Sequence, residues 1–312
     1  MTQPQTLDRK PRIAIMGEFS AGKSTLSNLL LGRRILPEKV TATRLPPVWI
    51  TEGDAAPSRK ALDGRRHPVS LQALEAVPLE ETLYVQISCE APVLEACDLI
   101  DFPGISDPNM PPEVWERMLA EVDCVLWCTH ATQAWRQSEA AAWGLVAEEV
   151  RQRSLLLITR FDKLTTPLDK LRVQTRVTRE TEGQFAGVCP ISLTQALAAE
   201  PDSPDWETSG AQDFTAALEA IVEAAQQGGT PPVLQAAAAA AASPAPASSF
   251  VAPLAAVLEQ PQAPVQADSL QEVPTGHVVP RRVRPQGAKR TPRPDARRDS
   301  DLASLRRELL ES

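Results

Sequence analysis

The sequence predicts an α/β fold, a mostly parallel sheet flanked by helices in three layers, on three observations. A glycine-rich segment, "GEFSAGKST" at residues 17–25, lies between an apolar run and a helical pattern. Apolar runs then alternate with helical patterns as far as about residue 226, the order that builds a parallel sheet covered on both faces. Two of the later runs end in carboxylates, Asp101 in "DLIDFPG" and Asp162 in "LLLITRFDK".

Taken in order, "RIAIM" (12–16) reads as a buried strand. "KSTLSNLLLG" (23–32) reads as a helix with Leu26, Leu29 and Leu30 on one face and Gly32 as its stop. "PPVWIT" (46–51), "TLYVQIS" (82–88) and "CDLIDF" (97–102) are strand candidates. "PPEVWERMLAEV" (111–122) opens on prolines and continues at helical spacing. "DCVLWCT" (123–129) is a strand and "RQSEAAAWGLVAEEV" (136–150) a helix. "SLLLITR" (154–160), "KLRVQTRVTRE" (170–180) and "GVCPIS" (187–192) continue as strand, helix and strand. "DFTAALEAIVEAA" (213–225) closes the domain as a helix with Asp213 as its expected N-cap. Trp127, Trp135 and Trp143 are expected to serve packing rather than a cofactor.

The chain has 312 residues and is 43 % hydrophobic, enough for a sizeable core. Its formal net charge of −8 disfavours nonspecific attraction of the whole molecule to nucleic acid or anionic lipid. The five cysteines form no CxxC pair, and the polar start "MTQPQTLDRKP" is not a secretory signal, so reduced thiols in the cytoplasm are expected. Cys124 and Cys128, four apart in a strand, would stand about 13 Å from each other, too far to share a metal. The expected organisation is an arm over 1–11, a nucleotide-binding domain over 12–227, an Ala/Pro-rich low-complexity linker over 228–296 and a short amphipathic helix over 297–312 carrying Leu302, Leu305 and Leu309. From Arg281 to Arg298 the linker is strongly basic.

The chemistry lies in five motifs. The first is the P-loop, in which Gly17 lets the chain turn out of the strand and Gly22 lets the backbone approach phosphates. Glu18, Phe19, Ser20, Ala21, Gly22, Lys23, Ser24 and Thr25 are its nucleotide-binding residues, with Lys23 reaching the β- and γ-phosphates and Ser24 binding Mg²⁺. The second is DxxG. Asp101 can hold the Mg²⁺ water shell and the Gly104 N–H can meet a γ-phosphate, whereas the same four residues alone are an ordinary turn. The third, "TRFD", contains Thr159, Arg160, Asp162 and Lys163. Asp162 can accept two hydrogen bonds from guanine that adenine cannot donate; its other reading is a cap for a helix beginning near Pro167. In the fourth, "CPIS", the strand ending in Ser192 can place backbone N–H groups by the guanine O6. In the fifth, "TATRLP" (41–46), Thr41 or Thr43 can complete the Mg²⁺ shell and fix the attacking water.

The series GxxSxGKS, Thr, DxPG, TxxD and Ser resembles the GTPase domain of the dynamin superfamily, especially bacterial dynamin-like proteins, with "GEFSAGKSTLSNLLLG" and "DFPGI" carrying most of the likeness over residues 10 to 226. The resemblance selects Thr43, followed by Arg44 and Pro46. It implies GTP and GDP as ligands, a slow GTPase stimulated by dimerisation, Ser20, Lys23 and Thr43 as catalytic residues, and Ser24, Thr43 and Asp101 around Mg²⁺. A monovalent cation, K⁺ or Na⁺, placed with the help of Ser20 when two domains meet face to face, belongs to the same expectation. Arg160 stands where the family usually has Lys, Phe19 where animal dynamins have Gln, and Ile105 cannot orient water as a Ras-type glutamine does. Nothing after residue 226 reads as a helical stalk. A protein partner supplying a stalk or membrane anchor is therefore expected, with peripheral contact to an anionic membrane through the basic tail and no sequence-specific nucleic-acid reading. The alternative is a GTP-sensing scaffold with little hydrolysis.

Overall fold

The computed structural model describes residues 6–33, 45–107 and 110–231. Thr41, Thr43, Arg44, the expected linker from 232, the basic segment and the expected C-terminal helix lie outside the described residues.

The run before the P-loop is β1 (Arg12–Gly17), followed directly by α1 (Lys23–Leu31), which Gly32 stops in a left-handed turn. β2 (Val48–Glu52), β3 (Ser58–Ala61), β4 (Arg66–Pro68) and β5 (Thr82–Cys89) come next. The short α2 (Pro92–Ala96) leads to β6 (Asp98–Asp101). Beyond α3 (Pro112–Glu116), β7 (Cys124–His130), α4 (Gln137–Trp143) and α5 (Glu148–Arg151) lead to β8 (Leu155–Thr159). The described chain ends with α6 (Pro167–Glu180), β9 (Gly187–Pro190), α7 (Leu193–Ala198), α8 (Pro204–Thr208) and α9 (Ala211–Gln226).

The strands form one sheet in the order β4-β3-β5-β2-β6-β1-β7-β8-β9. Every pairing from β6 through β1, β7 and β8 to β9 is parallel. β2 runs antiparallel to β6 but parallel to β5, and the β3–β4 hairpin adds antiparallel pairs at the far edge. β1 lies between β6 and β7, so the connections on its two sides diverge at its carboxyl end. In open α/β sheets that crevice receives the ligand.

Successive side chains of a strand face opposite ways, and β1 divides the core accordingly. Ile13 and Ile15 join the leucines of α1 and Phe214, Leu218, Ile221 and Val222 of α9. Ala14 and Met16 join an aromatic cluster on the other face. There the rings of Trp143 and Phe185 stack at 4.2 Å, and Trp127 meets Trp143 edge-on at 5.3 Å. The three tryptophans are therefore packing residues. All five cysteines are free and buried, and burial pushes the thiols of Cys97, Cys128 and Cys189 up to about 12.

Three helical expectations are corrected. The 111–122 segment is helical only over Pro112–Glu116 and then tightens into i→i−3 turns. The 136–150 helix breaks at Gly144, where Val146 turns into the core and Leu145 out to solvent; a mid-helix glycine weakens the helix at that point. Asp213 is not the cap of α9. Gly210 takes that place at φ +84°, where a Cβ would stand 2.2 Å from the Pro190 carbonyl oxygen. The β3–β4 hairpin is not visible in the sequence pattern, because Arg59, Lys60 and Arg66 interrupt any apolar alternation.

Trp143 is fully buried within the aromatic cluster. Trp143→Ala is expected to cost about 3–5 kcal/mol of unfolding free energy, the range for an emptied aromatic core site, measured by urea denaturation.

Candidate functional site

The P-loop begins where β1 meets the carboxyl end of β7. Gly17 has φ +141°, and a Cβ there would lie 2.1 Å from the Cys128 carbonyl oxygen, so no other residue fits without displacing main chain. Gly22, at φ +93°, opens α1 and directs the first amides of the helix toward the loop. Ser20 between them is also left-handed, at φ +61°.

Lys23 is buried and folded over this loop. Its Nζ donates to the carbonyl oxygens of Gly17 at 3.1 Å and Glu18 at 2.8 Å. Burial lowers its pKa, while Asp101 and other neighbouring acids oppose the shift. Asp101, at the tip of β6, is pushed up to about 6 by burial, although Lys23 and a hydrogen bond from Ser27 pull the other way. The Ser27 hydroxyl lies 3.1 Å from the Lys23 carbonyl and 3.4 Å from Asp101 Oδ1, tying α1 to the strand tip. A half-buried carboxylate tied to α1 through Ser27 is of the hard-oxygen type that suits a divalent cation. Among the described residues no group of three or more His, Cys, Asp or Glu could hold a metal ion.

The DxxG turn packs directly on the P-loop. A Cβ on Gly104 would approach the Phe19 main chain to 3.0 Å. The Ile105 N–H donates to the Gly17 carbonyl at 3.2 Å, and the Phe19 N–H to Ser106 Oγ at 3.1 Å. The Ile105 side chain packs against the aromatic core.

At the other end of the loop, Thr159 Oγ1 lies 2.7 Å from the Ala21 carbonyl and 3.0 Å from that of Thr129, joining the P-loop to β7 and β8. Arg160 follows in a left-handed conformation, φ +53°, with its side chain exposed. Ser192 Oγ donates to Asp162 Oδ1 at 2.8 Å, and Lys163 forms an exposed ion pair with Asp162 at 3.5 Å. Burial pushes Asp162 up, but the bonds from Ser192, the backbone and Lys163 outweigh it and hold the group below the ordinary carboxylate range. The capping alternative for Asp162 fails, since Thr166 caps α6 by accepting from the Asp169 N–H. The N–H of Ser192 itself is engaged with the Ser209 carbonyl at 2.8 Å, and its hydroxyl faces Asp162.

The fold thus brings Glu18 to Thr25, Asp101, Gly104, Thr159 to Lys163 and Ser192 to one edge of the sheet, at the ends of β1, β6, β8 and β9. Sequence reasoning missed Ser27, Ser106, Thr129, Arg136, Ser138 and Glu139. Arg136 Nη1 lies 3.0 Å from Glu18 Oε2, and the Ser138 hydroxyl donates to the other Glu18 oxygen. Glu139 is buried, and its carboxyl is raised by that burial against three hydrogen bonds. No helix among the described residues is long and apolar enough to cross a membrane.

Residues 13–161 match the model of the dynamin family. Dynamin-like protein 2 of Campylobacter jejuni is 26 % identical over 166 residues, which cover 51 % of this chain and 27 % of that protein. A solved structure of an oligomerised bacterial dynamin pair, described as a mechanism for long-range sensing and tethering of membranes, matches with a TM-score of 0.50 and 20 % identity, covering 70 % of this chain and 36 % of that one. The chain thus spans about a quarter of the length of the curated relative and about a third of the solved one.

Raising the pKa of Asp101 in the folded state favours its protonated form there. The stability this confers is full below the unfolded value near 3.8 and is lost as pH rises through about 6. Without nucleotide or divalent cation, Asp101→Asn is expected to remove about 1–1.5 kcal/mol of the stability change between about pH 5 and about pH 7.5, measured by denaturant titration of both proteins.

Proposed function

We propose that this chain, which carries a dynamin-superfamily GTPase domain, binds GTP and hydrolyses it to GDP and phosphate, in a slow cycle that speeds up when two domains meet. The observation that carries this reading is Asp162. It is held ionised by Ser192 and Lys163, on the same sheet edge as a loop whose lysine donates to two of the loop's own carbonyl oxygens. An ionised carboxylate there accepts from the guanine N1 and N2 donors, and adenine would leave it unpaired.

On binding, Lys23 exchanges the Gly17 and Glu18 carbonyls for the β- and γ-phosphates, and the amides at the start of α1 take the remaining charge. Ser24, Thr43 and Asp101 would hold Mg²⁺, which would supply charge neutralisation on the phosphates. Gly104 presents its N–H to the γ-phosphate. With the Ile105 side chain packed against the aromatic core, Thr43 would orient the attacking water, and Ser20 would help hold a monovalent cation that supplies compensating charge. The work is positioning and electrostatics rather than covalent chemistry. Bacterial dynamins sense and tether membranes in the assembly cited above. For this chain we extend that to peripheral membrane contact on the cytoplasmic side, through the basic segment 281–298 or through a partner supplying a stalk. A second reading, a GTP-sensing scaffold with little turnover, draws on Arg160. Its left-handed backbone and exposed side chain change the reach of the group that should brace the base.

Phosphate release from GTP by the full chain should fall by about 100-fold or more in Lys23→Ala, as expected for loss of a transition-state contact, and turnover per molecule should rise with protein concentration. Tight GTP binding without release would establish the scaffold. Asp162→Asn should shift preference from guanosine to xanthosine nucleotides by on the order of 100-fold; an unchanged base preference, measured by calorimetry, would refute guanine reading.

A further inference from the structure

We infer that Glu139 is a positioning residue for the P-loop, a single buried carboxylate that anchors the loop at both of its ends. Its side chain is 2 % exposed and accepts from Trp127 Nε1 at 3.1 Å, Thr129 Oγ1 at 3.0 Å and the Arg136 N–H at 2.9 Å. From these bonds two arms run to the loop.

The first arm passes through Arg136 and Ser138. The Arg136 main chain is fixed by Glu139, and its guanidinium holds Glu18, whose second oxygen takes the Ser138 hydroxyl. The second arm passes through Thr129. Its hydroxyl donates to Glu139 and accepts from the Trp135 N–H at 3.0 Å. Its carbonyl takes the Thr159 hydroxyl, which also contacts the Ala21 carbonyl. Residues 18 and 21 are thereby referred to one point. Between them Ser20 sits at φ +61°, a conformation that persists only where its surroundings over-determine it.

The chemistry requires a carboxylate. Every partner of Glu139 is a donor, so both oxygens must accept. A glutamine amide places an NH₂ against either the Trp127 indole or the Thr129–Arg136 pair, and a buried donor facing a donor is costly. Networks of this kind lose more than one bond when one member fails.

Insofar as it concerns nucleotide affinity, this inference rests on the GTP-binding reading, so the primary test needs no nucleotide. In the nucleotide-free full chain, Glu139→Gln should speed amide hydrogen exchange in the 18–22 segment by about tenfold or more relative to wild type. Arg136→Gln alters a side chain that is nearly half exposed and leaves the core intact; it should speed exchange at residues 18 and 19 while sparing 21 and 22. It also decides the matter should Glu139→Gln not fold. GDP affinity should drop about 10–100-fold in Glu139→Gln, and the loss in Glu18→Gln/Glu139→Gln should be smaller than the product of the single losses, because both act on one constraint. Unchanged exchange across 18–22 in Glu139→Gln, or loss at residues 18 and 21 alike in Arg136→Gln, overturns the inference. A wild-type protein that does not bind GDP in calorimetry overturns the nucleotide reading alone, since the exchange result stands independently of it.

Discussion

The site depends on the absence of one carbon atom. β1 is paired on both sides, with β6 and β7, so its end cannot move sideways. The Cys128 carbonyl of β7 occupies the space where a side chain at residue 17 would go. Only a glycine lets the chain turn out of the sheet there, and only that turn brings Lys23 back over the Gly17 and Glu18 carbonyls. The Gly104 turn then closes on Phe19, where a Cβ would meet the main chain at 3.0 Å, a tight contact but a milder one than at Gly17. These two main-chain approaches shape the loop before any ligand arrives.

Charge is handled in opposite ways at the two ends of the crevice. At the phosphate end, Lys23 and Asp101 are both deprived of water, and burial disfavours the charged form of each. Each offsets part of that cost for the other, Asp101 pulling the Lys23 pKa up and Lys23 pulling that of Asp101 down. At the base end, Asp162 is already satisfied by Ser192 and Lys163 and remains ionised.

The aromatic cluster behind β7 makes this rigidity affordable. Trp127, Trp143 and Phe185 form a stiff wall, and the same Trp127 gives its indole N–H to Glu139. The apolar and polar parts of this region are therefore one structure. Packing fixes the carboxylate, and the carboxylate fixes the segments that meet the P-loop.

Much of this was legible in the sequence. Strands such as Arg12–Gly17 and Leu155–Thr159 are buried on both faces, so their unbroken apolar runs announce them. The glycines, Lys23, Asp101 and Asp162 stand out because phosphate and base chemistry needs those residue types at fixed distances along the chain. The structure decided what depends on partners far apart in sequence. Ser106 meets Phe19 across 87 residues and Arg136 meets Glu18 across 118, and no local pattern marks either pair. The hairpin of β3 and β4 pairs with the edge that β5 offers, and α9 is capped not at Asp213 but at Gly210, where the Pro190 carbonyl leaves no room for a side chain on the cap. Backbone preference is set by near neighbours and can be read from the chain. Which side chains meet, and which main-chain groups must share space, is settled only when the sheet is assembled.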